Sequence, residues 1–190
     1  MSSRIPQITS MFLVAAFLFA VPATIITRAQ DNQDAATLTR SAGCGANDVE
    51  FNVKTDKSQH PTVQPAPGKA VVYIFNTVRT DPGLVIGSVT LRVGLDGDWV
   101  GANHGESYFY FQVDPGDHRI CAQWQSTFER LSKLASAASL SAQPGQVYYF
   151  RAIADVRTHD RNNVRLEPLD PAEAILLTST SAFSTSHPKK

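Results

Sequence analysis

Ser88-Val89-Thr90-Leu91-Arg92-Val93-Gly94-Leu95-Asp96-Gly97-Asp98-Trp99-Val100 decides the fold class. Its first six residues alternate apolar and polar side chains, the period of a strand with one face buried and one wet. Asp96-Gly97 then stands between two apolar-containing segments, and a two-residue hairpin turn needs positive φ at both of its central residues. A strand, a tight turn and a returning strand are therefore expected here.

Working outward, Lys69 to Asn76 is a β-branched and aromatic run entered through Pro67-Gly68, which reads as a buried strand. Tyr108 to Val113, His118 to Trp124, Ala138 to Ala142, Gln146 to Ile153 and Val164 to Leu169 add five more strands, with turns at Asp114-Pro115-Gly116-Asp117 and Pro144-Gly145. Ser126 to Ala137 reads equally as helix or strand. Asp170 followed by Pro171 is a cap and first-turn pair that opens a short C-terminal helix. Many short strands without intervening long helices predict an all-β fold, a single antiparallel β-sandwich of Ig-like or prealbumin-like kind.

Flanking this core, residues 1–29 read as a signal peptide: Arg4, then an apolar stretch from Met11 to Ile26 broken by Pro22, with Ala29 at the cleavage site. Its 16 residues fall short of the roughly 18 to 20 of a permanent membrane span. Residues 30–67 read as an extended arm and linker with one edge strand at Val49 to Lys54, 68–178 as the sandwich, and 179–190, rich in Ser and Thr, as a flexible tail. Export to the periplasm or medium is expected.

Charge excludes one class of partner. The 17 basic and 17 acidic side chains cancel, and loss of the leader leaves a net charge of −2, so no basic footprint for nucleic acid exists.

Cys44 and Cys121 are the only cysteines, and an even pair in an exported chain reads as a disulfide. The alternative is a free Cys44 on the arm and Cys121 buried as a small hydrophobe. Ala42-Gly43-Cys44 also has the form of a lipoprotein cleavage site, but 17 residues from Thr27 to Gly43 separate it from the apolar stretch, which argues against lipid anchoring through Cys44.

Chemical motifs are sparse. Asp96, Asp98 and Gly101 occupy positions one, three and six of a calcium loop, but Val100 and Ser107 stand at five and twelve, where ligands belong. No metal-ligand spacing, phosphate loop or nucleophile elbow occurs, and no cofactor is expected. His104 and Glu106, with Asp98 nearby, are the one imidazole and carboxylate pairing close in sequence, a candidate general acid/base site for a hydrolase and equally a solvated turn. Tyr108 and Tyr110 alternate with Phe109 and Phe111, so the phenylalanines suit the core. The tyrosines, with Tyr148 or Tyr149 from a neighbouring strand, form a candidate ligand-binding surface or a cross-strand packing cluster.

Pro67-Gly68-Lys69-Ala70, Asp96-Gly97 with Val100-Gly101, Gly105-Glu106-Ser107-Tyr108-Phe109, Pro115-Gly116-Asp117-His118 and Gly145-Gln146-Val147-Tyr148-Tyr149, taken in order, resemble the bacterial domain of unknown function 2846 family over about residues 67 to 180. The resemblance implies an exported or lipoprotein β-sandwich domain of the bacterial envelope, with no established activity and no catalytic residue to carry over. The expected function is a non-enzymatic module binding an envelope protein or a cell-wall glycan. A hydrolase at His104 and Glu106, or a purely structural envelope module, are the other readings.

Overall fold

A computed structural model describes residues 37–190. The expected leader, and the arm up to Ala36, lie outside the described residues. The helical residues 37–41 (α1) come first, followed by β1 (Phe51–Asp56), β2 (Ala70–Thr80), β3 (Thr90–Leu95), β4 (Asp98–His104), β5 (Ser107–Val113) and β6 (Gly116–Gln125). Then come α2 (Glu129–Ser132), β7 (Ala135–Ala142), β8 (Val147–Val156), β9 (Asn163–Pro168), α3 (Pro171–Thr180) and β10 (Ala182–Pro188).

The hairpin forms as its sequence dictates: β3 and β4 pair antiparallel, and Asp96 and Gly97 take φ of 53° and 96°. They belong to a four-stranded sheet ordered β4-β3-β6-β7, which lies against a six-stranded sheet ordered β1-β10-β5-β2-β8-β9. The two inner faces share one core: Val72 and Ile74 of β2, Leu91 and Val93 of β3, Phe109 of β5 and Trp124 of β6 are all buried in it. Burying that apolar area is the main stabilising term.

Two expectations require correction, and one open reading is settled. The larger sheet is mixed, because β2 pairs β8 in parallel from Val71↔Val147 to Thr80↔Val156 and β10 pairs β5 in parallel. The chain reaches β8 only after building the whole smaller sheet, and it re-enters from the same end. The expected flexible tail is instead β10, which fills the gap between β1 and β5. Its inward side is hydroxyl rather than aliphatic: Ser184 shares a hydrogen bond with Ser107 at 2.7 Å, and Ser186 Oγ accepts the Ala102 amide at 3.0 Å. The segment left open resolves into a single turn, α2, followed by β7 starting at Ala135.

Both edges of the smaller sheet are stitched to the larger one by serine. Ser186 ties β10 to β4, and on the opposite side Ser136 Oγ of β7 accepts the Leu166 amide of β9 at 3.1 Å. Edge amides that would otherwise be unpaired are thereby satisfied.

Candidate functional site

Each sheet also has an outer face, and the chain covers both. On the smaller sheet the cover is the arm from residue 37 to 50. Cys44 is bonded to Cys121 of β6 across 77 residues of sequence, as expected. Its sulfur is thus committed and cannot simultaneously carry a lipid. Gly43 holds φ of 94°, and a Cβ there would meet the Arg119 carbonyl oxygen at 2.3 Å, so only glycine lets the arm lie this close to β6. Arg92 of β3, buried on the same face, donates to the carbonyls of Asn47 and Val49 and to Gln123 Oε1, while its guanidinium stacks 4.5 Å from the Trp99 ring. Trp99 Nε1 donates to the Ala46 carbonyl at 2.7 Å. Sequence reading passed over Arg92, whose signal was a lone charge in an otherwise uncharged strand.

On the larger sheet, register aligns Tyr110 of β5, Tyr73 of β2 and Tyr149 of β8 in one row across three strands. Ring centroids lie 5.3 Å apart for Tyr73 and Tyr110 and 5.4 Å for Tyr73 and Tyr149. The next row holds Tyr108, Phe75 and Arg151, with Phe183 of β10 edge-on to Tyr108 at 5.5 Å. Arg151 is paired to Glu173 of α3, which fixes that helix above the sheet.

The three tyrosines expected together, Tyr108, Tyr110 and Tyr148, do not form one exposed surface. Tyr108 is fully buried, and its hydroxyl donates to the Pro61 carbonyl at 3.2 Å. Tyr148 points to the opposite side, against the shared core; its hydroxyl accepts the Gln143 amide at 3.0 Å and donates to the Ser141 carbonyl. Tyr149 takes its place, beside Tyr73 and on the far side of it from Tyr110. The arm from residue 61 to 66 lies over this face of the larger sheet, because Tyr73 Oη accepts the Val63 amide at 2.8 Å and Gln112 Oε1 accepts the Ala66 amide at 2.9 Å.

Between this strap and α3 a cleft of about 340 Å³ stays open. Tyr73, Tyr149 and Val147 form its floor, and His60, Gln64, Thr178 and Ser179 are among its rim. No carboxylate, Lys or Arg lines it. Burial pushes the Tyr73 phenol above its usual range, with Tyr149 and Tyr110 adding to the rise, and burial pushes Tyr108 up to about 12. The Tyr73 phenol is thus neutral at physiological pH.

The hydrolase site does not assemble as a hydrogen-bonded pair. His104 Nδ1 bonds Thr90 Oγ1 at 2.8 Å, whereas Glu106 Oε1 accepts the Val78 amide at 2.7 Å. Asp98 faces Arg40 at 3.7 Å. Among the described residues no group of three or more His, Cys, Asp or Glu is placed to hold a metal ion, and no helix is long and apolar enough to cross a membrane.

No protein-family model, curated protein or solved structure matches this chain.

Proposed function

We propose that this chain is a non-enzymatic binding module exported to the bacterial envelope, and that the cleft over Tyr73 and Tyr149 takes a neutral glycan of the cell wall. The observation that carries the reading is the pairing of an aromatic floor with a hydrogen-bonding rim that holds no carboxylate, Lys or Arg. The flat apolar faces of sugar rings stack on tyrosine, and sugar hydroxyls match imidazole, amide and hydroxyl partners without needing a counter-charge. Tyr73 Oη accepts from Val63 and so keeps its own proton to donate. The two sheets in this reading are a sandwich of Ig-like or prealbumin-like kind, with the parallel β2 and β8 pair as its departure.

Sedimentation with purified cell-wall sacculi tests it. The wild-type chain is expected to co-sediment, Tyr149→Ala to bind about tenfold more weakly, and Tyr149→Phe to retain most of the binding. Equal binding by wild type and Tyr149→Ala, or no binding by wild type, overturns the reading.

A further inference from the structure

Strand directions bring three loops to one end of the molecule: residues 81–89, 126–134 and 157–162. The first and third are tied together there, since Asp81 accepts from Arg157 Nη1 at 2.9 Å and from the Thr158 amide at 2.8 Å. Apolar tips protrude from this end: Val85 is 94% exposed and Phe128 72% exposed. Beside Phe128, a hollow of about 610 Å³ runs between the second and third loops, with Leu131 and Leu134 in it and Arg130 and Arg161 on its margin.

The charge balance of this end is set by who is paired. Asp155 is held by Arg157 and Arg165, Asp81 by Arg157 and Glu129 by Lys133. The Glu106 carboxylate accepts the Val78 amide and that of Asp160 the Arg161 amide. Arg130 and Arg161 make no ion pair among the described residues. A carboxylate that accepts only an amide keeps its charge, and the lining of the hollow sets Arg130, Lys133 and Arg161 against the one carboxylate of Asp160, so cations outnumber anions beside the apolar tips.

We propose that this end docks on an anionic phospholipid membrane surface, with Phe128 and Val85 entering between headgroups and Arg130 and Arg161 contacting phosphate. Guanidinium groups bind phosphate with directed pairs of hydrogen bonds, and each cation near an anionic leaflet strengthens attachment. An apolar side chain on a convex loop tip suits a fluid interface; a peptide groove would bury such a residue in its floor. This attachment is peripheral and needs neither a spanning helix nor an acylated Cys44.

Flotation with phosphatidylcholine vesicles, with and without about one-third phosphatidylglycerol, tests the proposal on the chain recovered after export. Wild type is expected to float only with the anionic vesicles and to be released as NaCl rises from about 50 to about 500 mM. Arg130→Ala with Arg161→Ala should weaken binding about 25-fold, about fivefold per cation, and Phe128→Ala about tenfold. All three side chains are exposed, so thermal midpoints should match wild type. Phe128→Trp supplies an independent readout: its emission should shift to the blue on adding anionic vesicles. No flotation by wild type, flotation that all these variants share equally, or capture of an acidic peptide without vesicle binding each overturns the proposal.

Discussion

Replacing Cys44 and Cys121 together by Ser removes the covalent clamp between the arm and β6 while leaving the other pins of the arm in place. The bond closes a loop of 77 residues, and the chain-entropy relation converts that length into about 4.5 kcal/mol of stabilisation at room temperature. That figure is a ceiling, because residual structure already restricts the unfolded chain; in the folded state the Trp99 bond to Ala46 and the Arg92 bonds to Asn47 and Val49 still hold the arm. The expected loss lies between about 2 and about 4.5 kcal/mol, a large part of an ordinary domain's stability. Urea unfolding followed by tryptophan emission measures it, and Trp99, in contact with the arm, reports whether the arm stays docked. The dependence on urea should steepen in the double variant, since the unfolded chain without its cross-link exposes more surface. A loss below about 1 kcal/mol with an unchanged slope would refute the reasoning, because the loop would then impose no constraint on the unfolded chain.

Three further outcomes are expected. Gly43→Ala forces a side chain to within 2.3 Å of the Arg119 carbonyl at a φ of 94°, so it should cost about 2 to 4 kcal/mol by thermal or urea unfolding, and an unchanged midpoint would refute the close approach. Asp170→Ala removes the carboxylate that accepts the Ala172 and Glu173 amides; about 1 kcal/mol should be lost, read by the same method. His118 is held by Asp96 at 2.6 Å and by the Asp114 carbonyl at 2.8 Å, two acceptors that call for both ring nitrogens to be protonated. Burial opposes the charge on His118, but these bonds outweigh it and raise the imidazole above 6.5, while burial of Asp96 is outweighed by His118 and the Arg119 amide, leaving its carboxyl below 3.8. The pair's contribution should therefore be complete between about pH 4 and 6.5, fall as pH rises through the folded imidazole value, and fall again as pH drops through the folded carboxyl value. A His118→Gln variant should flatten both limbs in a series of unfolding midpoints against pH, and a wild-type slope that survives in the variant would refute the assignment.

The parts of the fold that could be read from the chain are those whose cause is local. Asp96-Gly97 must turn because of its own φ angles, and Asp170-Pro171 must cap because of its own carboxylate and ring; the alternation from Ser88 to Val93 likewise sends Val89, Leu91 and Val93 into the core, but the face it marks as wet is covered by the arm at Arg92. What stayed hidden depends on distant partners. Nothing within β2 or β8 marks their parallel pairing, which requires the smaller sheet to be built first. The tail escaped for a chemical reason: hydropathy counts Ser184 and Ser186 as polar, yet their hydroxyls face inward and are satisfied there by Ser107 and Ala102.

The candidate site shows the same division more sharply. Alternation placed Tyr108 and Tyr110 on one side of β5, and that is where they are; it had no means to choose between Tyr148 and Tyr149, since β8 is a central strand with chain on both faces and its apolar run has no period. One clue did exist. Val71-Val72-Tyr73-Ile74-Phe75 is apolar without interruption, so both faces of β2 had to be covered, and a covered outer face on β2 requires the tyrosine beside Phe75 on β5 to be covered as well. Followed through, that inference buries Tyr108 and leaves the open position to the row one step further along, where Tyr73 and Tyr149 meet the gap between the strap and α3. Any ligand of this face is consequently read at Tyr149, and a Tyr108 substitution reports on folding instead.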